Sequence, residues 1–127
     1  MIASDGFIDQ GRGHPRTSGT YSKVLGRYVR DEGLLSLTDA IRRMTIEPAL
    51  RLQTRVPSMA LKGRIAIGAH ADITIFDPET IIDRSTYEDA TIPAEGIPYV
   101  IIAGEVVVDG GKVTDARPGR ATRARIR

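Results

Sequence analysis

The sequence contains no cysteine and no tryptophan, and its 127 residues include only two phenylalanines and two histidines. Without cysteine, a disulfide scaffold and thiolate metal sites are excluded, and the composition fits a reducing, cytoplasmic setting. No apolar run approaches the ~18 residues of a membrane span, and no charged-then-apolar leader opens the chain, so no membrane partner is expected. His14 and His70 stand far apart and belong to neither a His-x-His nor a His-Glu-x-x-His pattern, so this chain is expected to hold no metal by itself. No serine sits in a Gly-x-Ser-x-Gly elbow. On this inventory the chain is not a complete enzyme. Charge of one sign is lacking too, since 18 Lys and Arg oppose 16 Asp and Glu for a formal net charge of +2. The cationic excess gathers in a tail carrying Arg117, Arg120, Arg123, Arg125 and Arg127. With no aromatic residue interleaved to stack on bases, that tail reads as a frayed terminus and not as a nucleic-acid site.

What is present divides into a helical first half and a strand-rich second half, which makes the chain α+β. A hydrophobic content of 41% is enough for one modest core. Met1-Ile2-Ala3 reads as the end of a buried strand opening into a loop at Ser4-Asp5-Gly6. Residues 7 to 20, with Gly11, Gly13, Pro15 and Gly19, read as a long loop of the kind that is functional or disordered. Val24, Leu25, Tyr28 and Val29 then share one helical face, giving a helix over roughly 21–31 that Ser22 or Thr20 could cap and Gly33 could end. Ser36 to Asp39 has the form of a capping box, and Leu37, Ala40, Ile41 and Met44 recur at helical spacing behind it. Thr45 is placed to cap a third short helix containing Pro48, with Ala49, Leu50 and Leu52 inward, so the two helices turn sharply on Thr45. Gln53 to Lys62 is an irregular connector. Composition changes at Gly63, and the boundary between the parts 1–62 and 63–127 falls there.

In the second part, strands are expected at Ile65 to Ile67 and at Ile73 to Phe76, the latter stopped by Asp77-Pro78. Thr80 to Ile82 could be a further short piece, and Asp83 to Gly96 reads as polar surface. Ile97 to Ile102 and Glu105 to Val108 flank Ala103-Gly104 as a hairpin, and Asp109-Gly110-Gly111 turns the chain again toward Val113. Asp5 is the one carboxylate at a strand mouth. Taken alone, an aspartate before glycine is a turn residue.

The pattern Gly63-x-Ile65-x-x-Gly68-x-x-Ala71-Asp72-Ile73-x-x-Phe76-Asp77 resembles the entry into the small β-domain of amidohydrolase-superfamily enzymes. Ile2-Ala3-Ser4-Asp5-Gly6, His14-Pro15-Arg16, Gly19-Thr20-Tyr21 and Val24-Leu25-Gly26-Arg27-Tyr28 narrow the likeness to N-acyl-D-amino-acid deacylases, the D-aminoacylases. Leu35 to Arg42, Met44-Thr45, Pro48-Ala49, Tyr99-Val100-Ile101 and Val106 to Gly111 keep the same register, so the resemblance covers nearly the whole chain.

The resemblance implies the last strand and C-terminal helices of a metal-dependent (β/α)8 barrel in residues 1–62, followed by part of the small β-sandwich domain in 63–127. It implies a zinc-dependent hydrolase that cleaves the amide of N-acyl-D-amino acids to a carboxylate and a D-amino acid, with this portion inactive alone. Asp5 then corresponds to the general base, taking a proton from a metal-activated water and delivering it to the leaving amine, and it could be a weak metal ligand in the complete enzyme. Arg16 corresponds to the residue that holds the substrate's α-carboxylate, a task suited to a planar fork of donors. The metal ligands and seven barrel strands lie outside these residues. Met1 falls where the resembled fold has its last barrel strand. The apolar stripes of the first two helices face barrel strands in that fold, which leads to an expectation of self-association or of a complementary barrel chain. The alternative is a non-catalytic interaction module or a degenerate relic, in which Asp5 and Arg16 are surface groups.

Overall fold

The computed structural model describes residues 1–124, so Arg125 and Arg127 of the basic tail lie outside the described residues. Two short strands, β1 (Ile8–Asp9) and β2 (Arg12–Gly13), form a tight antiparallel hairpin ahead of the first helix. Helix α1 (Arg16–Lys23) runs on without a break into a π-helical stretch, Val24–Asp31. Helices α2 (Leu37–Met44) and α3 (Ile46–Leu52) follow, then a 3₁₀ turn at Pro57–Leu61. The second half is one antiparallel sheet of β3 (Ile73–Ile75), β4 (Tyr99–Ile102), β5 (Glu105–Asp109) and β6 (Lys112–Val113), ordered β3-β4-β5-β6. No helix among the described residues is long and apolar enough to cross a membrane.

The helix expected from residue 21 begins instead at Arg16. Pro15 already has helical angles, φ −50° and ψ −28°, and proline is pre-set for that position. Thr20 lies inside the helix and donates its hydroxyl back to the Arg16 carbonyl at 2.8 Å, so it does not cap. The far end turns as expected at Gly33, and before it the π register shows in the Glu32 amide reaching the Arg27 carbonyl at 2.9 Å. In α2 the Ser36 hydroxyl accepts the Asp39 amide at 3.1 Å, which is the capping interaction read from the sequence. Thr45 does carry the sharp bend, at φ −124° and ψ −81°, but its hydroxyl bonds the Ile41 carbonyl behind it and leaves α3 without a side-chain cap.

Two expected strands are absent. Met1 to Ala3 pairs with no strand, and the Ile2 amide bonds the Arg43 carbonyl at the end of α2. Ile65 to Ile67 has strand-like composition but no partner edge beside it, and Ile65 is 90% exposed. Thr80 to Ile82 contributes only a single bridge, Ile82 to Glu95. The main hairpin forms as read, with Ala103 and Gly104 both left-handed at φ 52° and 85°, the geometry a two-residue turn of matching twist demands. Between Val100 and Ile101 the register shifts, and the Val107 carbonyl turns away to take the Thr114 amide at 3.0 Å.

The core sits between the π stretch, α2 and the segment 76–97. Val24, Leu25, Ala40 and Ile81 form its buried centre, with Ile2, Tyr28, Leu37, Met44, Phe76 and Ile97 packed around them. The helical stripes expected to need absent strands thus cover one another and Ile81, leaving Ile41 exposed. A side chain at Gly26 would place its Cβ 2.4 Å from the Ile81 carbonyl oxygen, so only glycine admits that approach. Arg30, one turn on, donates to the same carbonyl at 2.7 Å and to that of Glu79 at 3.2 Å. The packing therefore crosses residue 63 and ties both halves together.

Candidate active site

Asp5 and Arg16 are brought together. The Asp5 Oδ2 lies 3.6 Å from Arg16 Nη2, with the Asp5 side chain 96% exposed and Arg16 half exposed. Asp5 adopts a left-handed backbone at φ 48°, a conformation that aspartate tolerates better than most residues but that persists only where the surroundings hold it. What holds it there is the next two residues. The Phe7 amide donates to the Thr17 hydroxyl at 2.9 Å while that hydroxyl donates to the Phe7 carbonyl at 3.1 Å, a reciprocal clasp on the first turn of α1. Gly6 lies so close that a Cβ would stand 2.4 Å from Thr17 Cα. The segment carrying the carboxylate is therefore braced directly against the helix that carries the arginine.

Arg16 occupies the first position of α1, and among the described residues its guanidinium makes only the long contact to Asp5. Its remaining donors are available to an incoming anion. His14 accepts the Arg16 amide through Nδ1 at 3.1 Å and meets the hydroxyl of Tyr87, from the distant segment 83–96, at Nε2 at 3.2 Å. Among the described residues no three side chains of His, Cys, Asp or Glu converge in a way that could hold a metal ion.

The stretch Asp83 to Gly96, read from the sequence as polar surface, takes part in building this corner. Ser85 donates to the Pro15 carbonyl at 2.8 Å and Ser18 donates to the Ala90 carbonyl at 2.7 Å, while Gly19 lies against Ser85 and Asp83. These contacts join residues about seventy apart, and no local pattern encodes them. Two surface depressions, of about 700 and 580 Å³, are lined by the β1–β2 hairpin and by residues around Lys62, Asp72 and Arg120, and neither includes Asp5 or Arg16.

The amidohydrolase family profile matches residues 3–108. The chain belongs to that family. Among the curated relatives of this amidohydrolase chain, an N-acyl-D-glutamate deacylase from Alcaligenes xylosoxydans xylosoxydans is 41% identical over 123 residues, spanning 97% of this chain and 24% of the relative. The fold of a solved D-aminoacylase superposes with a TM-score of 0.86 at 37% identity, over 97% of this chain and 25% of that one. An N-acyl-D-glutamate deacylase from Bordetella bronchiseptica, solved with zinc and a phosphonate mimic of the tetrahedral intermediate, matches with a TM-score of 0.80 at 40% identity, over 98% and 25% of the two chains. This amidohydrolase chain thus spans about a quarter of the length of the proteins it matches.

Proposed function

We propose that the chain is the C-terminal portion of a zinc-dependent N-acyl-D-amino-acid deacylase, with residues 1–62 closing the catalytic barrel and 63–127 forming part of its small β-domain. Its contribution to the reaction is Asp5 and Arg16. The Asp5 carboxylate takes a proton from the hydrolytic water and passes it to the nitrogen of the leaving D-amino acid. Arg16 presents two parallel N–H donors to the substrate's α-carboxylate. The observation that carries this reading is the 3.6 Å approach of these two side chains, one on a left-handed, braced turn and the other at a helix start with its donors unspent. Zinc accompanies the Bordetella relative, but the donors described here do not suffice to hold it. Its ligands would have to come from outside the described residues, and activity would require them.

The test uses this segment at the end of a complete, metal-loaded barrel. Asp5→Asn keeps the side-chain shape and the left-handed tolerance, and is expected to lower kcat by about 10²–10⁴, the range for a positioned general base. Arg16→Ala is expected to act chiefly through a raised KM. An Asp5→Asn enzyme with near-normal kcat would remove Asp5 from the role.

A further inference from the structure

An arginine that is to meet a carboxylate must first be held at its backbone, and the structure spends several groups on the backbone of Arg16. Pro15 occupies the capping position of α1 and has no side-chain acceptor. His14 supplies one, its Nδ1 accepting the Arg16 amide at 3.1 Å. A ring nitrogen that accepts carries no proton, so this contact calls for the Nε2–H tautomer of His14, in which Nε2 would donate to the Tyr87 hydroxyl 3.2 Å away. The two rings meet edge to face, 5.1 Å apart and inclined at 74°. Tyr87 remains three-quarters exposed, so burial of its ring does not account for its place. It arrives from 73 residues away on a segment that Ser85 and Ser18 lash to the same helix start.

We propose that His14 and Tyr87 are positioning residues for Arg16: Tyr87 fixes the tautomer and tilt of His14, and His14 fixes the first turn from which the guanidinium extends toward Asp5. This rests on the reading of Arg16 as the group that takes the substrate carboxylate. The segment 83–90 then belongs to the support of Arg16.

In the complete metal-loaded enzyme carrying this segment, His14→Ala and Tyr87→Phe are each expected to raise KM for an N-acetyl-D-amino acid about tenfold, the worth of roughly one hydrogen bond, with kcat nearly unchanged. His14→Asn, whose Oδ1 can accept the same amide, is expected to recover most of the KM lost in His14→Ala. Nitrogen-15 NMR of labelled histidine in the 127-residue chain supplies a readout independent of turnover, and is expected to show His14 protonated at Nε2 only, with its signals moved by Tyr87→Phe. A raised KM in Arg16→Ala with unchanged KM in both His14→Ala and Tyr87→Phe would overturn this inference alone. An Nδ1–H tautomer would overturn it without any assay. An unchanged KM in Arg16→Ala would instead overturn the carboxylate role on which it rests.

Discussion

Ile81 is 1% exposed, and the space it fills is bounded by Val24 and Leu25 at the start of the π stretch and by Ala40 on α2. Ile81→Ala would leave a cavity there that the Gly26 and Arg30 contacts to its carbonyl prevent from collapsing, so a loss of about 2–5 kcal/mol is expected in urea unfolding. A loss under about 1 kcal/mol would place the centre of the core elsewhere. At this scale the sequence was uneven. Leu25 and Ala40 could be read from helical spacing, whereas Asp5 and Arg16 could be singled out only through the family resemblance of the motifs around them. Ile81 and Tyr87 could not, because each owes its position to contacts with residues more than fifty places away. Ile81 sits in a three-residue piece too short to show a period, and Tyr87 in a stretch whose polarity looks like any solvated loop.

Among the elements, α2 and the β4–β5 hairpin follow from local rules: a serine cap with helical spacing, and two strands joined by a turn ending in glycine. The start of α1 did not, because glycine and threonine near its beginning are poor helix formers that packing against Ser85 and Asp83 overrides. Ile65 to Ile67 failed for the opposite reason, since strand composition forms no strand without an edge to join. The β4–β5 turn is held from outside by Asp72, whose carboxylate accepts the Ala103 amide at 2.9 Å and pairs with Lys62. Lys62 first, then the Ala103 amide, hold the Asp72 carboxyl below its ordinary range. A lowered pKa in the folded chain means that the unfolded chain takes up the proton more readily. The stabilisation is therefore present above the ordinary value of ~3.9 and disappears as pH falls through the lowered one. Asp72→Asn is expected to reduce stability by at most about 1 kcal/mol near neutral pH, since the pair is partly exposed, and by progressively less below pH ~4. Melting curves of both chains across that range check this, and a difference that stays constant to low pH would remove the ion pair as its source.

For the whole molecule, the packing of α2 on the π stretch gives the chain a core of its own, yet much apolar surface stays open. Phe7, Leu34, Ile65 and Val113 are all about two-thirds exposed or more, and among the described residues β3 and β6 each present an unpaired strand edge. The purified chain is accordingly expected to self-associate at micromolar concentration, with light scattering reporting a mass above 13.8 kDa. A monodisperse monomer with strongly protected amides in both halves would show that these surfaces need no cover. The general division into helical and strand-rich halves was legible from composition, but the packing across it was not, because the segment 76–97 follows the β half in sequence and the helical half in space. That crossing has a mechanical consequence. Residues 76–97 act as a latch: Phe76, Ile81 and Ile97 are seated among the helices while β3 and β4 hold the two ends of the segment. A nick in the connector 53–62 would therefore open the chain without opening the core, and the two pieces would stay locked together as the halves of a split protein.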